Sequence, residues 1–114
     1  MTDNTKTIRD LNDRLRQGDT TVPGQIFVTQ GLTALIGEAD AETSHLFEIV
    51  SSYNDFSAEN DPHKEHDFGA FMFEEQKCFW KIDYYDPTLK WGSDDPSDVT
   101  KTVRVLTLML ASEY

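Results

Sequence analysis

Residues 68–85, FGAFMFEEQKCFWKIDYY, constrain the fold more than any other part of the chain. Apolar and aromatic side chains recur at every second position on both sides of a Glu75-Gln76 break. Side chains two apart on an extended backbone share a face. The pattern predicts an antiparallel hairpin of Phe68–Glu74 and Lys77–Tyr85. With Glu75-Gln76 as a two-residue turn, Phe73 stands opposite Cys78, Phe71 opposite Trp80 and Gly69 opposite Ile82. Phe71, Phe73, Cys78, Trp80 and Ile82 then cluster on one face, which has to be covered. Lys81 and Asp83 project from the other face, with Phe68 and Phe79.

The flanks supply the cover. Residues 3–17 read as a helix, with Ile8, Leu11 and Leu15 at helical spacing and Arg9, Asp10, Asp13, Arg14 and Arg16 on the other face. Gln25–Thr29 reads as a short strand, 33–42 as a turn or short helix, and Leu46–Tyr53 as another strand. Asn54–Asp67 is a polar loop. Asp95, Pro96 and Asp98 form a helix-start signal, and Val99, Val103, Leu106 and Leu110 make a helical stripe. The run VRVLTL also alternates as a strand would, but the capping signal and the length favour a helix to Ser112. The expected fold is therefore a single α+β domain over residues 1–114, an antiparallel sheet of about four strands between N-terminal and C-terminal helices. The C-terminal helix is expected across the face that carries Trp80.

Charge narrows the function classes. Ten basic against twenty-one acidic residues give a net charge of −11. That sign argues against direct nucleic-acid binding and against an anionic membrane surface. A single cysteine, Cys78, closes no intrachain disulfide, and the N-terminal segment lacks the apolar run of a secretion signal, so a cytoplasmic protein is expected. No P-loop, dinucleotide fingerprint or GxSxG elbow appears, and no cofactor is implied.

Three polar groups remain. Asp55, Glu59, Asp61, Glu65 and Asp67 crowd one loop, and Asp83, Asp86, Asp94, Asp95 and Asp98 form a second acidic set. Together they read either as solvated loops or as a negative surface that imitates a polyanion. His63-Lys64-Glu65-His66-Asp67 offers nitrogen and oxygen donors that Asp83 or Asp86 could complete, but its spacing matches no closed zinc pattern and no metal is assigned. His66 beside Glu65 or Asp67 has the residue types of a general acid–base pair. Lys81 and Asp83 read first as an ion pair, with Arg104 able to reach Asp83 or Asp86 from the last helix.

The words NDPHKEHDFG, FWKIDYYD, GSDDPSD and KTVRVLTLMLASEY resemble an uncharacterised bacterial family of small proteins, DUF3768, over roughly residues 9–114. The matching polar positions are Asn60, Asp61, Glu65, His66, Asp67, Lys81, Asp83, Tyr84, Asp86, Asp94, Asp95, Arg104, Glu113 and Tyr114. The resemblance implies no activity. It does imply plasmids and other mobile elements as a setting, where anti-restriction and anti-CRISPR proteins are found. The leading expectation is thus a non-enzymatic inhibitor, monomer or homodimer, that binds a host defence protein through its basic nucleic-acid-binding surface. Asp55, Glu59, Asp61, Glu65, Asp67, Asp86, Asp94 and Asp95 would make the contact, with Tyr85 or Trp91 as anchor. The alternative is a small enzyme built on Glu65, His66, Asp67, Lys81, Asp83 and Arg104.

Overall fold

A computed structural model describes residues 4–38 and 40–114; residue 3 of the expected first helix and Ala39 of the 33–42 segment lie outside them. The elements in chain order are α1 (Thr5–Arg16), β1 (Gly24–Val28), α2 (Gln30–Ile36), α3 (Asp40–Ser51), β2 (Phe68–Phe73), β3 (Gln76–Tyr85) and β4 (Val103–Leu110), followed by a 3-10 turn, Ala111–Glu113. The sheet order is β1-β4-β3-β2. β1 runs parallel to β4, and the other two pairings are antiparallel, so the sheet is mixed rather than wholly antiparallel.

The three α-helices of the described residues lie on the Trp80 face. Leu11 and Leu15 from α1, Leu32 and Ile36 from α2, and Leu46 and Val50 from α3 pack with Phe71, Phe73, Cys78, Trp80, Ile82, Leu106 and Leu108 in one core. The hairpin faces are as expected, but its register differs by two residues: Phe71 pairs with Cys78 and Gly69 with Trp80. The turn is Glu74-Glu75, both with positive φ (50° and 64°), the geometry that matches strand twist in a two-residue hairpin. A two-residue shift leaves every side chain on its own face, which is why the core set survives it.

Two elements differ in kind. Leu46–Tyr53 is not a strand; its residues fall mostly in α3, where Leu46 and Val50, four apart, reach the core. Asp40 and Glu42 in the first turn of α3 complement its positive end. The C-terminal helix is absent among the described residues, and β4 occupies the centre of the sheet with Leu106 and Leu108 inward. Asp95 and Asp98 do cap, but they close turns: Asp95 Oδ1 accepts from the Ser97 backbone N–H and Asp98 Oδ1 from that of Thr100. Each local side-chain bond offers the backbone an alternative to a helix.

Trp80 is wholly buried because β2 has no side chain beneath it at Gly69. A Cβ on Gly69 would lie 2.3 Å from Trp80 Nε1 and 2.7 Å from the Tyr53 ring. Gly69→Ala is therefore expected to cost about 1–3 kcal/mol through overpacking. Gly92→Ala, whose Cβ would meet nothing closer than 3.9 Å, should change little. Urea denaturation of the two variants checks the contrast.

Candidate functional site

The polar residues gather at the end of the sheet where β2 and β4 begin and β3 ends. Arg104, on an inward position of β4, is fully buried. Its Nε donates to Asn12 Oδ1 at 2.6 Å, its Nη2 donates to the Pro96 carbonyl, and its guanidinium lies 5.2 Å from the Tyr84 ring centre. Asn12 Nδ2 in turn donates to the Tyr84 hydroxyl at 2.8 Å and to the Glu65 carbonyl at 3.0 Å. The Tyr84 hydroxyl donates to Glu65 Oε1 at 2.8 Å. Burial and the neighbouring Glu65 carboxylate drive the Tyr84 phenol far above its ordinary pKa, so it remains a neutral donor. Burial also lowers the Arg104 pKa, against the opposing pull of Tyr84 and Glu65.

A second set joins α1 to α3 and the 54–67 loop. Arg16 is buried, contrary to its expected place on the solvent side of α1. Its guanidinium donates to the Val50 carbonyl at 2.9 Å and the Tyr53 carbonyl at 3.0 Å, closing the C-terminal end of α3, where a cation is favoured. It also donates to Asp13 Oδ1 at 2.9 Å and lies over the Trp80 and Phe56 rings. Asp13 Oδ1 accepts a second bond, from His66 Nδ1 at 2.8 Å. A carboxylate only accepts, so His66 Nδ1 is the donor in this contact. His66 stacks flat on Phe56 at 3.7 Å, its backbone N–H donates to buried Asp61, and its Nε2 lies 3.7 Å from Asp61 Oδ2. Arg9, Ser57, Ala58 and Lys64 complete a shallow concavity of about 300 Å³ beside His66.

These contacts redistribute the expected site residues. Glu65, His66 and Arg104 lie on the helix side of the sheet, whereas Lys81 and Asp83 pair with each other at 2.8 Å on the open side. Arg104 thus meets neither Asp83 nor Asp86, because it points into the strand's buried face and not from a helix. The six residues of the enzyme alternative do not converge, and no described group of three or more His, Cys, Asp or Glu side chains is placed to hold a metal ion. Cys78 is a buried thiol whose pKa is raised by burial. Asn12, Asp13, Arg16 and Phe56 are the polar and aromatic residues that sequence reasoning missed. Asn12 and Arg16 stand four and eight positions after Ile8, in line with it on α1, and that spacing was the available signal.

Of the expected partner-binding acids, Asp61, Glu65, Asp86 and Asp95 already accept internal hydrogen bonds. Asp86 organises its loop: its Oδ1 accepts from the backbone N–H of Thr88, Lys90 and Trp91 and from the Thr88 hydroxyl. Those bonds hold its carboxyl below the ordinary range. The Asp86 N–H donates to the Trp91 carbonyl and Ser93 N–H to the Tyr84 carbonyl. Trp91 is left 73% exposed on this tied loop. Asp55, Glu59 and Asp94 are exposed, and no described side chain is hydrogen-bonded or ion-paired to their carboxylates. Another acidic group, Glu42, Glu74 and Glu75, lies at the opposite end of the hairpin, where Glu42 raises the Glu74 pKa. Tyr85 is half-buried beside Phe27, Leu89 and Val105.

Asn12→Ala removes the acceptor from a buried charged donor and should destabilise the chain by about 2–3 kcal/mol, against about 1–2 kcal/mol for Tyr84→Phe. Asp67 gives a pH test. Burial, and then Glu65, raise its pKa above the ordinary aspartate value. The folded state thus binds that proton more tightly than the unfolded chain, and Asp67 opposes folding once ionised. Asp67→Asn should raise the melting temperature at neutral pH, and the gain should vanish as pH falls below the ordinary aspartate pKa. Thermal melts across that range check the sign.

No described helix is long and apolar enough to cross a membrane. No curated protein and no solved structure matches the chain. A family model described as protein of unknown function (DUF3768) matches residues 28–113. The match spans β1's last residue to the final 3-10 turn and takes in both polar networks except their α1 members. The chain belongs to the DUF3768 family.

Proposed function

We propose that this chain is a non-catalytic binding protein that seats its 86–95 loop on the basic nucleic-acid-binding surface of a protein partner. Trp91 is the anchor and Asp94 the adjoining charge, while Asp55, Glu59 and the net charge of −11 steer the encounter. The observation that supports this reading is the loop itself. A tryptophan 73% exposed is held by a backbone already tied down through Asp86 and Ser93. Tryptophan is among the residues enriched at the energetic centres of protein interfaces, and a loop ordered in advance loses little entropy on binding. Host defence proteins that grip DNA or RNA in a basic groove are the partner class this charge fits, and blocking that groove would inhibit them. Duplex DNA carries one charge per ~1.7 Å, a density that the few free carboxylates here do not match, so the apolar anchor rather than the charge has to supply most of the affinity.

The test is displacement of labelled duplex from a panel of purified restriction endonucleases and CRISPR effectors. The chain should release the duplex from at least one of them, less effectively as salt rises. Trp91→Ala should weaken that release by about tenfold or more without changing the melting temperature. Asp94→Lys should weaken it most at low salt. Retention of duplex by every member of the panel, or equal release by both variants, contradicts the reading.

A further inference from the structure

β1 is an edge strand with one pairing partner, and its ladder fixes which backbone groups stay free. Arg104 N–H donates to the Pro23 carbonyl and Thr29 N–H to the Leu108 carbonyl. In a parallel ladder the residues that face the partner alternate, so Gln25 and Phe27 pair with β4 while Gly24, Ile26 and Val28 point outward. Of the outward groups, only the Val28 carbonyl meets a described side chain, the Thr33 hydroxyl at 3.4 Å. Within its sequence, GQIFV, the strand carries no charged side chain and no proline, and four of its five residues are exposed.

Shallow concavities lie on both sides of this edge. On the helix side, one of about 330 Å³ is lined by Leu15, Val22, Gly24 and Ile26 among others, and a second, of about 370 Å³, by Ile26, Phe47 and Glu48 among others. On the open side, one of about 290 Å³ is lined by Gln25, Phe27, Tyr85, Leu89 and Val105. Gly24 keeps the helix side close-fitting, since a Cβ there would stand 2.8 Å from Leu15 and 3.1 Å from the Arg104 carbonyl. An added strand sends alternate side chains to opposite faces of the sheet, and here each face offers a place for them.

We propose that β1 is a strand-addition site for an extended segment of a partner protein, apolar at alternate positions and basic where it passes Glu48. The exposed Glu48 carboxylate is not hydrogen-bonded or ion-paired to any described side chain, and the surrounding chain is strongly acidic. The same charge disfavours a second copy, because β1–β1 pairing would join two chains of −11 each. This inference stands independently of the 86–95 loop as a decoy.

The probe is a panel of synthetic peptides alternating valine with lysine, each matched to a version N-methylated at alternate residues. N-methylation keeps the side chains and charge and removes the strand hydrogen bonds. Binding to the full chain is read by titration and by amide hydrogen exchange. Ile26→Pro deletes an outward N–H without touching the ladder to β4, so it should leave the fold intact, which its own melting curve verifies. At least one unmethylated peptide should bind, slow exchange at the Gly24, Ile26 and Val28 amides, and lose at least tenfold in affinity on N-methylation or in a folded Ile26→Pro variant. Equal binding of methylated and unmethylated peptides, protection mapping elsewhere, or no binding by any of the panel overturns the proposal. So does protection of those amides that rises with protein concentration alone, which would assign the edge to a second copy. If Ile26→Pro does not fold, the methylated pairs and the exchange map decide the matter alone.

Discussion

Arg104 sits on the central strand of the sheet, wholly out of water, and no carboxylate touches its guanidinium. A cation placed there is costly unless its donors are met and its charge is answered nearby. Asn12 meets Nε, the Pro96 carbonyl meets Nη2, and the Tyr84 ring offers its face, while buried Nη1 has no hydrogen-bond partner among the described residues. The balancing charge, the Glu65 carboxylate, is reached through two intermediates, Asn12 and the Tyr84 hydroxyl. One guanidinium thus fixes α1, β3, β4 and the turn at Pro96, and it gives the 54–67 loop a fixed landing point. Arg16 does the corresponding work at the end of α3. The interior of this acidic chain is organised around two cations.

That arrangement explains which parts of the structure were legible. The 68–85 hairpin declared itself because alternation there is strict, and its inward face was correct even though its turn was misplaced. Glu74-Glu75 adopts positive φ without the Asn or Gly that normally announces such a turn. α3 was misread because LFEIV is rich in strand-forming residues, whereas its core contacts, Leu46 and Val50, follow helical spacing. β4 was misread because the capping signal at Asp95, Pro96 and Asp98 and the length of the run outweighed the strand alternation of VRVLTL. Only the tertiary structure, with Asn12 and Tyr84 opposite, makes a buried arginine acceptable at its second position. The Asp95-Pro96 signal was real but served a turn.

The polar signature was legible as a set, and many of its members make hydrogen bonds that hold the fold. Tyr84, Glu65, His66, Asp61 and Arg104 are consumed in holding loop, helix and sheet together, and Asp86 and Asp95 in shaping the 86–95 segment. Glu113 belongs with them: its carboxylate accepts from the Thr29 hydroxyl and the backbone N–H groups of Gly31 and Leu110, tying the final turn to the start of α2. Among the features left exposed are the β1 edge and the Trp91 loop. They adjoin through Phe27, Val105, Tyr85 and Leu89 on the helix-free face of the sheet. A partner that added a strand at β1 would have this apolar strip, and then Trp91, beside it.

Hydrogen exchange at the Arg104 Nε–H, followed by nitrogen-15 NMR, tests the organising role of that guanidinium most directly. If Asn12 and the surrounding core lock it, its proton should exchange only when the whole chain unfolds, with the same protection as the slowest β4 amides. Exchange as fast as that of Arg9, which lies at the surface, would mean that water reaches the guanidinium in the folded state and that the fold does not depend on it.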